Sequence, residues 1–257
     1  MKNDLIKTII ASKKPCYFIS PHFDDAVLSA GFTMHSLIDH NHVTVINVFT
    51  KADVAPYTLS AKKNLLTCHY HDAVELFEER EKEDKRALHT VANRVLNLGF
   101  VDGLWRKKHS VNPFMRMLAK KLPELTAVYP TYRFHMLKKR ISSEDAEMIE
   151  MIKKKLLNLI PKDAIVFAPL SVGNHIDHFI VCKVVEELFP SAIFWSDFPY
   201  NISAHAVPVS AERDVYEINP DQAVKRTLIG EYKTQLNGLF VNGKVPEHTE
   251  KFYSKRI

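Results

Sequence analysis

Two short stretches hold most of the side chains that could do chemistry. "SPHFDDAVLSAG" (20–31) sets His22, Asp24 and Asp25 directly after the apolar run "CYFI". "GNHIDHF" (173–179) sets His175, Asp177 and His178 shortly after "AIVFAPL". Carboxylates are costly beside a buried strand unless something partners them. A catalytic metal site needs three N/O ligands and one open position for water, and His22, Asp25 and His178 would supply two imidazoles and one carboxylate. Such a site lowers the pKa of bound water toward about 7. Asp24 is suited to accept that water's proton, because adjacent residues in a turn send their side chains in different directions. His175 would stabilise an oxyanion and later protonate a leaving amine, and Asp177 would fix an imidazole by hydrogen bonding. Each motif alone also has a plain structural reading. Aspartate after proline is ordinary turn chemistry, and Asp177 at a helix start gains from the helix dipole. Their pairing, each beyond a predicted strand, points to a site.

Those strands are legible from hydrophobic pattern. "CYFIS" (16–20), bounded by Pro15 and Pro21, reads as a buried strand; 26–40 reads as a helix, and β-branched "VTVINVFT" (43–50) as a second strand. Strand, helix, strand is the unit of a parallel sheet. A short amphipathic helix is expected over 3–11, a long connection over 51–71, a charged helix over 72–94 and a strand over 95–103. Residues 104–141 suggest an inserted region over the sheet. Ser143 is placed to cap a helix over 144–160. A strand over 164–170, a helix over 177–189, a strand over 192–198 and a late helix from Asp221 to Leu236 complete the pattern. The alternation predicts one α/β domain over 1–257, with a Rossmann-like, doubly wound, mostly parallel sheet covered by helices on both faces. Ligands in such folds bind beyond the carboxyl ends of strands, where both polar motifs fall.

Composition bounds the function. The 257 residues carry 35 Lys and Arg against 30 Asp and Glu, too small an excess to argue for nucleic acid. Three dispersed cysteines and no CxxC pair argue against a disulfide framework and for a reducing compartment. No stretch is apolar enough to span a bilayer, so a cytoplasmic protein is expected.

"PHFDDAVLSAG" with a downstream "HIDH" resembles the PIG-L/LmbE family of zinc-dependent de-N-acetylases. "REKEDKRA" (80–87), "LGFVDG" (98–103), "DFPY" (197–200) and "EYKTQL" (231–236) are similar to further family segments, so the likeness spans most of the chain outside 104–160. The resemblance implies one zinc on His22, Asp25 and His178, Asp24 as general base, and His175 as the oxyanion-stabilising or acid histidine. It implies sugar contacts from Arg80 and Asp102. Plain alternatives exist for both: Arg80 could pair with Asp84 along its helix, and Asp102 could hold a turn with Gly103. Phe23, Ala26 and Phe32 depart from the usual Pro, Glu and second Gly, and Phe32 is expected to narrow the pocket. Trp105, Tyr129, Tyr132 and Phe134, flanking Arg106 and Arg133, suggest either a sugar-stacking wall or packing within the inserted region.

The expected activity is hydrolysis of an acetyl or other acyl amide on an N-acetylated amino sugar, such as an N-acetylglucosamine conjugate. Zinc is the expected cofactor, with iron(II) also open to a His2Asp site. A metal-dependent phosphoesterase of the DHH type, and a non-catalytic sugar-binding protein on the same fold, are the alternatives. The expected partner is a small amino-sugar substrate, with no nucleic acid and no membrane span; oligomeric state is not legible.

Overall fold

The computed structural model describes residues 4–203 and 213–255, so residue 3 of the expected first helix lies outside the described residues. Among the described residues, seven strands form one sheet: β1 (Cys16–Ser20), β2 (Val43–Lys51), β3 (Arg94–Val101), β4 (Ile165–Pro169), β5 (Ile193–Trp195), β6 (Arg213–Ile218) and β7 (Glu250–Lys255), in the order β3-β2-β1-β4-β5-β7-β6. The first five are parallel, while β7 runs antiparallel between β5 and β6. The expected mostly parallel α/β architecture is therefore present. The antiparallel edge is an addition to it, and the strand expected over 192–198 is only three residues long.

The helices are α1 (Leu5–Ser12), α2 (Asp25–Leu37), α3 (Leu59–Cys68), α4 (Ala73–Leu88), α5 (Pro113–Ala119), α6 (Ala146–Leu159), α7 (Ile176–Leu188), α8 (Tyr200–Ser203), α9 (Gln222–Gly230) and α10 (Lys233–Leu239). Side chains alternate across a strand, and β1 is buried throughout. Tyr17 and Ile19 join one core with residues of α3, α6 and α7, while Cys16 and Phe18 join another with residues of α1, α2 and α9. Burial on both faces explains why β1, β2 and β4 read as nearly continuous apolar runs.

Several boundaries differ from expectation for local reasons. The connection at 51–71 contains α3, capped by the Thr58 hydroxyl, which accepts from the Ala61 N–H. The charged helix α4 stops at Leu88, and Arg94 already opens β3. Ser142, rather than Ser143, caps the turn leading into α6 by accepting from the Glu144 N–H. The late helix is two helices, broken around Tyr232. Within 104–141, Trp105, Val128, Tyr129 and Met136 pack into the main core, and Tyr132–Met136 form a π-helical turn. Trp105 and Tyr129 are buried, so they form no stacking wall.

Candidate active site

In-register pairing of β1 with β4 sets the ends of these neighbouring strands side by side. The chain after β1 turns at once into α2. The Ser20 hydroxyl holds this turn, donating to the His22 carbonyl at 2.6 Å and accepting from the Ala26 N–H at 3.0 Å. The chain after β4 enters α7 through Ser171, Gly173 and Asn174, all with positive φ. A Cβ on Gly173 would lie 2.7 Å from the Tyr200 Cβ, so close packing as well as φ favours glycine there.

These two turns bring His22, Asp25 and His178 together. Asp25 Oδ2 lies 3.0 Å from His22 Nδ1 and 3.2 Å from His178 Nε2. Ligating atoms of the three residues lie within 4.8 Å of one another, and all three residues are buried. His178 Nδ1 is hydrogen-bonded to Asp197 Oδ1 at 2.6 Å, which orients the ring, while its Nε2 is buried without a hydrogen-bond partner. An orphaned ring nitrogen beside a carboxylate and a second imidazole is the donor set a divalent cation takes. His22, His175 and Asp177 also approach within 4.8 Å, but both oxygens of Asp177 and Nδ1 of His175 already accept hydrogen bonds, whereas in the first set only Asp25 Oδ2 does. Asp177 accepts from Arg106 at 2.6 Å and from the Gly103 N–H at 2.8 Å. His175 Nδ1 accepts from the Asp177 N–H at 3.3 Å. The first set fits a cation better.

The electrostatics follow from this packing. Burial would raise the Asp25 carboxyl, but His178 and His22 hold it well below the usual carboxylate range. Burial disfavours the His178 imidazolium, yet Asp25 and Asp197 outweigh it and bring the group up to about 10. The Asp24 carboxyl is raised by burial, against the Arg80 guanidinium 3.5 Å away. Burial, then His22 and His178, push His175 down to about 3, so its ring is neutral at physiological pH. Because Nδ1 of that ring accepts a backbone N–H, its proton sits on Nε2.

Asp177 approaches His22, with Oδ2 3.2 Å from Nε2, and meets His175 only through its backbone. Arg80 pairs with Asp24 rather than Asp84, which accepts from Tyr232 and Asn47 instead. Asp102 does hold the expected turn, accepting from the Leu104 N–H at 2.8 Å, and its other oxygen lies 3.5 Å from His22 Nε2. Phe32 does not line the cavity; its N–H donates to Glu250 on the far side of α2.

Sequence reasoning missed the supports. Arg106 spans Asp177 and Asp145, with Tyr129 donating to the same Asp145 oxygen. Asp197 was visible only as part of "DFPY", and Asp145 carried no signal. Tyr132 and Tyr200, hydrogen-bonded to each other, stand beside His175 and His178 respectively. The cavity over these groups measures about 590 Å³.

Known proteins similar to the chain include deacetylases. The chain is 27% identical over 248 residues to 2'-N-acetylparomamine deacetylase of Niallia circulans, covering 89% of this chain and 83% of that protein. Its fold is similar to a deacetylase of teicoplanin biosynthesis in a bog complex (TM-score 0.71, 21% identity, 93% and 96% of the two chains covered). It is also similar to the zinc-inhibited form of a teicoplanin deacetylase (TM-score 0.69, 20% identity, 93% and 97% covered). The profile of the PIG-L family, described as GlcNAc-PI de-N-acetylase, matches residues 17–189. With more than half of its length matched, and with both polar motifs inside the match, the chain belongs to the PIG-L family.

Proposed function

We propose that this protein is a metal-dependent hydrolase that removes the acetyl group from an N-acetylated amino sugar or a glycoconjugate containing one. The observation that carries the reading is the convergence of His22 Nδ1, Asp25 Oδ2 and the unpartnered His178 Nε2 at the floor of a cavity that Asp24 and His175 also line. These three residues would hold the cation, zinc in our reading, with iron(II) the other ion this donor set accepts. When bound, such an ion supplies Lewis acidity toward the amide carbonyl and acidifies water.

The remaining work belongs to the chain. Asp24 takes the proton from the attacking water. Its raised pKa lets it keep that proton briefly and deliver it to the departing amine. His175, neutral with its proton on Nε2, donates a hydrogen bond to the tetrahedral oxyanion. Of the two roles expected for His175, oxyanion stabilisation and proton donation, this reading gives it the first and leaves the proton of the amine to Asp24. Asp177 and Asp102 orient His22, and Arg80 offers a buried cation beside Asp24 for a sugar hydroxyl. The single cluster His22, Asp25 and His178 favours one cation over the two metals of a phosphoesterase, since Asp177 is already bound to Arg106 and Gly103.

The test is a screen for acetate and amine release across N-acetylated sugars, with metal content measured on the same sample. Release that disappears with a chelator and returns with added metal is expected. Phosphodiester cleavage with two metals per chain, or sugar binding without acetate release, would overturn the reading.

A further inference from the structure

The floor of the cavity accounts for the amide, but its outer half has a chemistry of its own. On α3 the residues Ser60, Lys63, Asn64 and Thr67 recur at helical spacing and all line the cavity, together with the buried Cys68, while Ala61 and Leu65 pack into the core. Across the cavity stands the π-helical turn Tyr132–Met136, whose Arg133 and Phe134 also line the space. The two walls are tied together where the Tyr132 N–H donates to the Ser60 hydroxyl at 3.1 Å.

Lys63 and Arg133 are both exposed, and neither forms an ion pair with any described residue. The acidic residues of the cavity lining, Asp24, Asp25 and Asp102, all lie buried at its floor. The segment that carries Arg133 has the same sign of charge. Residues 107–140 contain nine Lys and Arg and a single acid, Glu124, although the whole chain carries a net charge of only +5. Glu124 is occupied in capping α3, where it accepts from the Leu59 N–H. A cleft lined by one sign of charge concentrates ligands of the other sign.

We infer that the outer half of the cavity is an anion-binding subsite, in which Lys63 and Arg133 select substrates bearing a carboxylate or phosphate on the part of the molecule attached to the N-acetylated sugar. This rests on the deacetylase reading above and adds to it the charge class of the substrate. The same two cations disfavour an amino sugar whose remaining substituents are free amines. The exposed face of Phe134 adds an apolar surface beside Arg133, suited to the carbon skeleton that carries the anion.

The test uses the full-length protein and a set of N-acetylglucosaminides that differ only in the aglycone: neutral, carboxylate-bearing, phosphate-bearing and amine-bearing. Acetate release gives kcat/KM for each, at low and high salt. The wild type is expected to prefer one or both anionic glycosides over the neutral one by at least about tenfold, with the preference shrinking as salt screens it. The arm that gains more identifies carboxylate or phosphate. In the Lys63→Gln/Arg133→Gln double variant the anionic-to-neutral ratio is expected to fall at least about tenfold, mainly through KM. A wild type indifferent to aglycone charge, or a double variant with an unchanged ratio, would overturn the subsite. If no glycoside releases acetate, the deacetylase reading fails separately. Calorimetric titration of the same glycosides still decides the subsite by whether the anionic ones bind more tightly and lose that advantage in the double variant.

Discussion

Asp24 faces two chemical demands that its surroundings set against each other. Burial pushes its carboxyl up, toward holding a proton, while the Arg80 guanidinium pulls it back toward the charged form. A base that must take a proton from water and then return it to an amine needs that balance. Asp24→Asn keeps the shape of the side chain and leaves His22, Asp25 and His178 in place. It is expected to lower kcat at least about a hundredfold, with metal content at the wild-type level by elemental analysis. A loss of less than about tenfold would remove Asp24 from the role of base. Asp197 acts one step further out. Its hydrogen bond to His178 Nδ1 turns Nε2 toward Asp25. Carboxylates behind ligating histidines are typically worth about 10–100-fold in metal affinity. Asp197→Ala is therefore expected to weaken metal binding by about that factor, measured by competition with a chromogenic chelator; an unchanged affinity would show that packing alone orients His178.

The helix α2 carries Asp25 at its first turn and must be held at a fixed angle to β1. It is not one continuous helix, because Ala30 departs from helical geometry (φ −139°, ψ 15°). The orphaned N–H groups beyond the break go to a carboxylate from β7: Glu250 accepts from the N–H of Phe32 and Thr33 at 2.9 and 3.0 Å and from the Thr33 hydroxyl at 2.6 Å. Lys225 of α9 completes the set with a buried ion pair to Glu250 at 2.7 Å. Removing one partner of a buried pair strands the other charge, which typically costs about 3–5 kcal/mol. Glu250→Ala is expected to lower unfolding stability by about that amount, read from the urea midpoint at unchanged m-value; a loss under about 1 kcal/mol would show that Lys225 and the helix break find water or other partners. This network also shows what the sequence could not reveal. Strands β1, β2 and β4, buried on both faces, were legible as apolar runs. By contrast, β6 ("RDVYEI") and β7 ("EKFYSK") mix charged, polar and apolar residues with no period of two, and among the described residues they pair only with each other and β5, so they carry little pattern. In α3 the polar stripe faces the cavity, and that hid its helical period within an expected loop. The ligands His22, Asp25 and His178 were readable because each motif is local. Arg106, 71 residues from Asp177 and 39 from Asp145, becomes a support only once the chain has folded.

At the scale of the whole molecule, the candidate site is a clasp between two halves of one sheet. Strand β1 sits between β2, which leads outward to β3, and β4, which leads outward to β5. The crevice beyond the carboxyl ends of β1 and β4 is the place where strand order reverses and where open α/β sheets bind ligands. His22 and Asp25 come from the β1 side and His178 from the β4 side, separated by well over half of the chain. A cation held there joins elements that the unfolded chain does not bring together, so it stabilises the native state alone, by about 2.7 kcal/mol at a free concentration a hundred times its Kd. For a domain somewhat above 200 residues, each 1 kcal/mol shifts Tm by roughly 2–4 °C. Chelation is therefore expected to lower Tm by roughly 5–10 °C in the wild type and to have no effect in His178→Ala. The size of that shift depends on pH with a definite sign. Asp25 and Asp197 bring the His178 imidazole up to about 10, so below that value a proton competes with the cation for Nε2. The His22 imidazole, also raised well above its ordinary value by Asp102, Asp177 and Asp25 against the opposing effect of burial, adds a second competitor. Binding then releases protons, and affinity weakens as the solution becomes more acidic. The gap in Tm between metal-loaded and chelated protein is expected to narrow as pH falls from about 8 to about 6. A gap that stays constant across that range, or one that persists in His178→Ala, would mean that the stabilising cation sits somewhere other than between these two turns.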